Sequence, residues 1–374
     1  MSSRYIEIES LDNLTTLAAH DGVLQHYAFQ CIDFGISPLA PTTTFDDCIF
    51  LGCNIPDDMQ HRLRCNCIVF PCIDAPYKVF PAALYTADTL YEGYEPHDMQ
   101  SYEHCYDALV YKHYLAKGKT AKDIKETLTR TLHDHSISDA LHDVLAHYDE
   151  RDVVAVMGGH SLLRTDECYR RVAQIARRLT EQGKLVVSGG GPGAMEATHL
   201  GAYMAHRPDS DLLHALQILA QAPSYKDAGW LSTAFDVIKT FPRQQETHDI
   251  GVPTWFYGHE PATPFAAHIA KYFDNSIRED GLLTIAKGGV IFAPGSAGTM
   301  QEIFQDAAQN HYETFGYASP MIFLDTQYWT AQTPVYPFLQ ELLSQGRYRN
   351  LILSLVDDVA DAIEVLAAWR KLSV

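Results

Sequence analysis

From Asp152 onward the chain alternates between short apolar runs, loops and amphipathic helical segments. The apolar runs cover residues 153–157, 185–187, 290–293, 321–324 and 351–355. Because parallel strands are joined through helices, this alternation predicts an α/β fold with a doubly wound parallel sheet. Ligands of such sheets bind at the carboxyl ends of the strands, so we expect any site to lie in the loops that follow these runs.

Three of these loops are glycine-rich and follow three different strands. The residues that we expect to bind phosphate are Gly159 and Ser161 in the first loop, Gly190, Gly191 and Gly193 in the second, and Gly295, Ser296, Ala297, Gly298 and Thr299 in the third. A single glycine-rich turn often serves only close packing. Three such loops at one sheet edge, however, would surround an anion with backbone N–H groups.

The third loop opens a helix that carries a carboxylate, Glu302, in its first turns. Helical side chains lean toward the helix N-terminus, so the Glu302 carboxylate points back at the loop that follows Phe292. A negative group weakens phosphate binding, and chemistry on the ribose of a nucleotide would explain its presence. The alternative is simple stabilisation of the helix dipole, which contributes roughly 0.3–1 kcal/mol.

Two common nucleotide-binding patterns are missing. A dinucleotide fingerprint requires an acid about 20 residues after its glycines, at the end of the next strand. Here that position falls in residues 206–211, which have the composition of a loop. The Gly-x4-Gly-Lys-Ser/Thr pattern is also absent, so neither NAD binding nor a P-loop ATPase is expected. The sequence implies no cofactor.

The charge of the chain restricts its partners. It has 28 basic and 47 acidic residues, a formal net charge of −19, which argues against binding nucleic acid or an anionic membrane surface. The first residues lack the basic-then-apolar order of a signal peptide. No apolar run approaches the roughly 18 residues of a membrane span. We therefore expect a cytoplasmic protein.

Residues 1–150 differ from the rest and are predicted to form a mixed α+β extension. Three stretches, 31–34, 48–51 and 67–70, share a Cys-Ile-x-apolar core and predict three strands. A stacked repeat and a chance resemblance among buried strands are both open interpretations. Helical segments are predicted near 97–117 and 120–148, the second with a potential break at 135–138. Residues 151–374 are predicted to form the nucleotide-binding domain, with an insertion at about 205–260.

Five cysteines cluster in the extension together with a histidine, a combination that raises the question of a metal site. They are Cys48, Cys53, Cys65, Cys67 and Cys72, with His61 among them. No Cys-x-x-Cys pair occurs, and the spacings match no standard zinc pattern. Reduced cysteines that pack as small hydrophobic side chains are the preferred interpretation, and no metal is expected.

The motifs together resemble a known family. Residues 294–302 are similar to the signature Pro-Gly-Gly-x-Gly-Thr-x-x-Glu of the Lonely guy (LOG) phosphoribohydrolases, which are often mislabelled lysine decarboxylases. Residues 189–195 and 159–161 resemble the upstream glycine-rich elements of that family. The resemblance covers 152–204 and 275–371 and implies a Rossmann-like fold. It also implies cleavage of the N-glycosidic bond of nucleoside 5′-monophosphates to free base and ribose 5-phosphate.

The same resemblance assigns roles and partners. It implies that Glu302 and Arg278 are catalytic, that AMP-like purine nucleotides, including N6-modified ones, are the leading substrates, and that the protein forms a homo-oligomer. From the residues alone, Arg278 has a second interpretation, a surface salt bridge to Glu279 or Asp280.

The chain departs from the family pattern in three ways. Ser296 replaces the second glycine of the signature, Glu279 stands where the family has Lys, and segment 205–260 is longer than in a compact member. The aromatic residues of that segment would serve as a lid, a base pocket, core packing or oligomer contacts. A nucleotide-binding sensor that has lost turnover is therefore the alternative function, although retention of both Glu302 and Arg278 counts against it.

Overall fold

The computed structural model describes residues 5–17, 22–98, 100–244, 247–258 and 260–372. The chain divides into two compact units, Met1–Leu84 with Ala116–Leu141, and Tyr85–Leu115 with His142–Val374. None of the helices in these described ranges is long and apolar enough to cross a membrane.

The strands, in chain order, are β1 Ile6–Ile8, β2 Val23–Gln25, β3 Tyr27–Gln30, β4 Thr44–Asp46, β5 Ile49–Cys53, β6 Ile68–Pro71, β7 Val153–Met157, β8 Leu185–Ser188, β9 Asp249–Gly251, β10 His268–Ile269, β11 Val290–Phe292, β12 Pro320–Leu324 and β13 Ile352–Val356. The helices are α1 Leu11–Thr15, α2 Asp57–Gln60, α3 Ala87–Leu90, α4 Tyr106–Lys117, α5 Ile124–Leu145, α6 Glu167–Glu181, α7 Ala194–Tyr203, α8 Asp209–Leu219, α9 Trp230–Thr240, α10 Asn275–Ile285, α11 Ala297–Tyr312, α12 Val335–Ser344 and α13 Val359–Leu372.

The first unit contains two small parallel sheets, ordered β1-β3-β5-β6 and β2-β4. Consecutive strands of each sheet stack one coil above the next, so that Ala28 pairs with Ile49 and Ile49 with Ile68. Parallel strands that return to the same sheet after each coil form a short solenoid, in which each coil packs only on its neighbours. The three Cys-Ile stretches therefore belong to successive coils of one stacked structure.

The first of those stretches does not form the predicted strand. β3 ends at Gln30, and Cys31 adopts a left-handed backbone with φ of 53°. One coil later Gly52, within β5, has a similar φ of 61°, so the backbone bends at the corresponding position of both coils. The other two stretches lie largely in β5 and β6, as predicted.

Aromatic side chains fill the inside of the solenoid. Four buried phenylalanines pack on one another: Phe29, Phe34, Phe45 and Phe50. The thiol of Cys53 donates to the carbonyl oxygen of Phe29 at 3.2 Å, and that of Cys67 to the carbonyl of Phe45 at 3.4 Å. All eight cysteines are free thiols. These two thiols contact the preceding coil, which agrees with a packing role.

The second unit contains a seven-stranded parallel sheet in the order β10-β9-β8-β7-β11-β12-β13. This order confirms the predicted α/β fold with a doubly wound, Rossmann-like sheet. The chain moves outward from β7 through β8, β9 and β10, and then returns to place β11 on the other side of β7. Residues of β7, β8, α6, α7 and α13 share one hydrophobic core. Such a reversal of strand order opens a crevice at the carboxyl ends of the strands.

Segment 205–260 adds two helices and one strand to this unit, α8, α9 and β9. Strands β9 and β10 were not predicted, because runs of three and two residues are too short to show a strand pattern. Trp230 and Trp255 are buried and serve packing, whereas Tyr257 is 40% exposed. α5 continues unbroken through residues 135–138.

Candidate functional site

The three glycine-rich loops lie side by side, because they follow the adjacent strands β8, β7 and β11. The amide of Gly159 donates to the carbonyl oxygen of Pro294 at 2.9 Å, which ties the first loop to the third. The amide of Ala194 donates to the carbonyl oxygen of Gly159 at 3.2 Å, which ties the first loop to the second. The three loops thus form one continuous surface at the crevice of the sheet.

Several glycines are required by this close approach. A β-carbon on Gly193, whose φ is 69°, would lie 2.3 Å from the carbonyl oxygen of Gly159. A β-carbon on Gly190, whose φ is 70°, would lie 2.8 Å from Pro253, and one on Gly295 would lie 2.1 Å from the hydroxyl of Thr299. These glycines are therefore needed for the close packing of the loops, independently of any ligand.

The candidate phosphate-binding residues differ in accessibility. Gly190, Gly191, Gly193 and Thr299 are buried, and Gly159 and Gly295 are partly exposed. The exposed members are Ser161, Ser296, Ala297 and Gly298. The second loop therefore forms the floor of the crevice, and the first and third loops form its accessible rim.

The third loop leads into α11, a helix of 16 residues. Its first amides, on exposed Ala297 and Gly298, belong to the group that has no partner within a helix and that favours an anion. Ser296 has φ of −105° and ψ of −142°. This φ lies outside the left-handed region that favours glycine, so the position does not require glycine on that ground.

Glu302 lies in the second turn of α11 and is partly exposed. Burial of its carboxyl group raises the pKa to about 7, the positive charge of Arg278 acts in the opposite direction, and the charge of Glu279 adds to the increase. At neutral pH this carboxyl group is therefore poised between its charged and neutral forms, a property typical of catalytic acids and bases.

Arg278 projects inward from the first turn of α10 and is 9% exposed. Its Nε donates to the carbonyl oxygen of Val252 at 2.8 Å. Its Nη2 lies beside the second loop, 2.5 Å from the place where a β-carbon on Gly189 would stand. The guanidinium group is thus fixed at the floor of the crevice, within electrostatic range of Glu302.

Glu279 and Asp280, the two carboxylates considered as surface partners of Arg278, form hydrogen bonds with other residues. Glu279 accepts from the amide nitrogen of Asn275 at 2.9 Å, and Asp280 accepts from that of Gln305 at 2.5 Å. Together with the burial of Arg278, these contacts disfavour the surface salt bridge as the reason for this arginine.

Further polar residues at the crevice were not found by sequence reasoning. Nδ1 of His160 lies 3.6 Å from Oε1 of Glu260, and the rings of His160 and Tyr225 meet edge to face at 5.6 Å. The hydroxyl of Tyr328 donates to the carbonyl oxygen of Gly295 at 2.6 Å. Of these residues, only His160 lies within a recognised motif, residues 159–161. The others lie in segments without one.

A buried ion pair supports the first two loops from below. Arg164 and Glu196 are both buried and form two contacts of 2.5 and 2.9 Å, and the hydroxyl of Tyr169 also donates to Glu196 at 2.9 Å. Burial by itself would lower the pKa of Arg164, but the adjacent Glu196 outweighs it and the pKa is raised. This pair joins the chain after the first loop to the first turn of α7.

No protein-family model and no curated protein matches this sequence. Among solved structures, the chain is similar to the molybdenum cofactor binding protein from Rippkaea orientalis, with 15% identity over 58% of this chain and 96% of that one, and a TM-score of 0.36. It is also similar to the molybdenum cofactor carrier protein of Chlamydomonas reinhardtii, at 16% identity, 59% and 96% coverage and a TM-score of 0.35. The protein TM1055 matches at 18% identity, 58% and 99% coverage and a TM-score of 0.37. The likeness concerns the fold alone.

Proposed function

We propose that this protein hydrolyses the N-glycosidic bond of nucleoside 5′-monophosphates, AMP-like purine nucleotides foremost, to free base and ribose 5-phosphate. The observation that carries the proposal is the placement of Glu302, with its near-neutral pKa, and buried Arg278 within electrostatic range of each other where three glycine-rich loops meet. We infer from the signature at 294–302 that the chain belongs with the LOG phosphoribohydrolases.

In this proposal the phosphate binds at the exposed start of α11. The free amides of Ala297 and Gly298 and the positive end of the helix dipole supply attraction without a side-chain cation. Ser161 and Ser296 are exposed at the same rim and offer hydroxyl donors. The phosphate would hold the ribose over the floor of the crevice, next to Glu302 and Arg278.

Glu302 would act at the ribose. When the bond between C1′ and the base nitrogen breaks, its electrons leave with the base and positive charge develops on the sugar. A carboxylate close to that charge stabilises the transition state and accepts a proton from the attacking water. The water oxygen bonds to C1′, and the proton ends on the released base. Arg278 would bind a ribose hydroxyl or the phosphate and compensate for the charge of Glu302.

The direct test is an assay for free base and ribose 5-phosphate after incubation with AMP, GMP, CMP and UMP. We expect release from at least the purine nucleotides, and loss of release in Glu302→Gln. Glu364→Gln, which changes an exposed glutamate on α13, is the matched control and should retain the activity. Release that persists unchanged in Glu302→Gln would refute the assigned role of Glu302.

The sensor alternative makes the opposite prediction, binding of nucleotides without release of base. Ser296 in place of glycine and the altered Arg278-Glu279 segment are the reasons to consider it, and the φ of −105° at Ser296 lies outside the left-handed region that favours glycine. We also propose that the protein acts in the cytoplasm and, on the resemblance, that it forms a homo-oligomer.

A further inference from the structure

Next to the crevice of the sheet lies a cavity of about 550 Å³. Its lining includes several aromatic rings: Tyr94, Tyr102 and Tyr111 from one segment of the chain, and Tyr225 and Trp230 from another. Cavities of this size that combine aromatic walls with a few polar groups are typical of small-molecule sites. The proposed catalytic residues do not line this cavity.

Residues 85–115, which form one wall of the cavity, are held to the rest of the second unit by buried hydrogen bonds. One carboxylate oxygen of Asp107 accepts from the ammonium of Lys271 at 2.6 Å and from the indole of Trp255 at 2.8 Å, and all three side chains are buried. The hydroxyl of Tyr91 donates to the carbonyl oxygen of Ala262. Buried, charge-assisted hydrogen bonds of this kind fix the position of α4 and thus of its Tyr111.

The cavity is joined to the glycine-rich loops through shared residues. Tyr225 lines the cavity and contacts the ring of His160 in the first loop. Pro261 also lines it and directly follows Glu260, which contacts His160 at 3.6 Å and lies 3.9 Å from the β-carbon position of Gly191 in the second loop. The lining of the cavity and the glycine-rich loops therefore meet at His160.

We propose that this cavity receives the base of the nucleotide, so that tyrosines from segment 85–115 and from the loop after α8 determine base specificity. The inference rests on the proposed function, since it assumes a nucleotide at the three loops. Aromatic side chains stack on the flat faces of bases, and one such contact contributes about 1–3 kcal/mol. A purine offers a larger face for stacking than a pyrimidine does, so purine nucleotides should bind more tightly than pyrimidine nucleotides.

Two substitutions test the cavity by different means. Tyr225→Ala removes one stacking face. Gly258→Ala removes nothing, but its new β-carbon would lie 2.4 Å from the ring of Tyr111 and push that ring out of place. Tyr312→Ala removes a tyrosine that is 77% exposed on α11 and is the matched control.

Binding of AMP and of ribose 5-phosphate is measured by titration calorimetry on the full chain carrying Glu302→Gln, so that no substrate is consumed. We expect Tyr225→Ala to raise the Kd of AMP about 5- to 150-fold, the equivalent of the stacking contribution, and Gly258→Ala to raise it in the same direction. The Kd of ribose 5-phosphate, which has no base, should be unchanged and shows that each variant is folded. Tyr312→Ala should change neither value.

Equal weakening of AMP and ribose 5-phosphate, or no weakening of AMP, would overturn the proposal. Failure of AMP, GMP, CMP and UMP to bind the chain would overturn it as well. Base-dependent binding that responds to Tyr225→Ala without any release of base by the unsubstituted chain would count against the hydrolase alone and leave the base cavity in place.

Discussion

The guanidinium group of Arg278 occupies the space that a side chain on residue 189 would fill. Its Nη2 lies 2.5 Å from the β-carbon position of Gly189, and its Nε is held by the carbonyl oxygen of Val252 at 2.8 Å. Gly189, the first glycine of the second loop, therefore leaves the space that the Arg278 side chain fills at the floor of the crevice. This contact links α10 to the loop after β8, which lies much earlier in the chain.

Gly189→Ala should consequently impair the reaction without removing any functional group. The added methyl group would displace Arg278 and Met195, whose sulfur also lies 2.5 Å from the β-carbon position. We expect kcat/KM for base release to fall by about tenfold or more, since small misplacements of positioning groups are costly. Gly281→Ala is the control, because its β-carbon meets nothing within 4 Å and lies within α10. Full activity of Gly189→Ala would contradict the role of this contact.

The pH dependence should report on Glu302. If the carboxylate form is the active one, kcat/KM should rise with pH and level off above a midpoint near the raised pKa of about 7. Glu302→Gln should lose this rising limb together with most of the activity. The profile is measured as kcat/KM for AMP in a series of buffers of constant ionic strength. Activity that falls as pH increases through 7 would instead indicate that the protonated carboxyl group acts as an acid.

Asp306 should make the protein progressively less stable as the pH rises from about 4 to about 8. It is 4% exposed on α11, its Oδ2 has no hydrogen-bond partner among the described residues, and burial raises its pKa from 3.8 to about 8. Because the folded state holds this proton more tightly than the unfolded state, the stability is fully present below the unfolded pKa. It is lost as pH rises toward 8, by up to about 1.4 kcal/mol per pH unit.

Asp306→Asn should remove that dependence. Relative to the unsubstituted chain, the free energy of unfolding of this variant should increase between about pH 5 and about pH 8, as measured by urea denaturation. Asp361→Asn, at an exposed position of α13, is the comparison and should show no such trend. A constant difference between Asp306→Asn and the unsubstituted chain would mean that the carboxyl group is charged in the folded protein.

The Arg164–Glu196 pair should be structural. Glu196→Gln leaves the buried Arg164 guanidinium without its counter-charge, and we expect a loss of about 3–5 kcal/mol in the free energy of unfolding. Glu167→Gln removes an exposed partner of Arg170 and Arg171 and should cost only about 0–1 kcal/mol. Thermal and urea denaturation of both variants would measure the contrast. Similar losses for the two would show that burial of the first pair has little influence.

The sequence was most informative where a periodic pattern extended over many residues. The alternation after Asp152 predicted five strands of the main sheet, because buried parallel strands are continuous apolar runs. It did not predict β9 or β10, which are too short to form a pattern. In the first unit, the bend at Cys31 was taken for part of a strand, since nothing in the local sequence signals a left-handed backbone at a cysteine.

The site was predictable only as far as its motifs extended. The three glycine-rich loops could be placed at one edge because the carboxyl ends of parallel strands lie at the same edge of a sheet. Partners from distant segments could not, since Val252 and Glu260 reach the loops only through the tertiary fold. The burial of single side chains could not be predicted either. The raised pKa of Asp306 depends on its position in the packed helix and not on its neighbours in the chain.

The anchoring of α4 through Asp107 limits how this chain can be dissected. A fragment that started at the first strand of the large sheet would retain Lys271 and Trp255 in their apolar surroundings and lose the carboxylate that both of them contact. An ammonium ion left in such surroundings without a counter-charge is strongly destabilising. A fragment meant to isolate the sheet should therefore begin no later than Tyr85, because a shorter one would be destabilised by its own unpaired lysine.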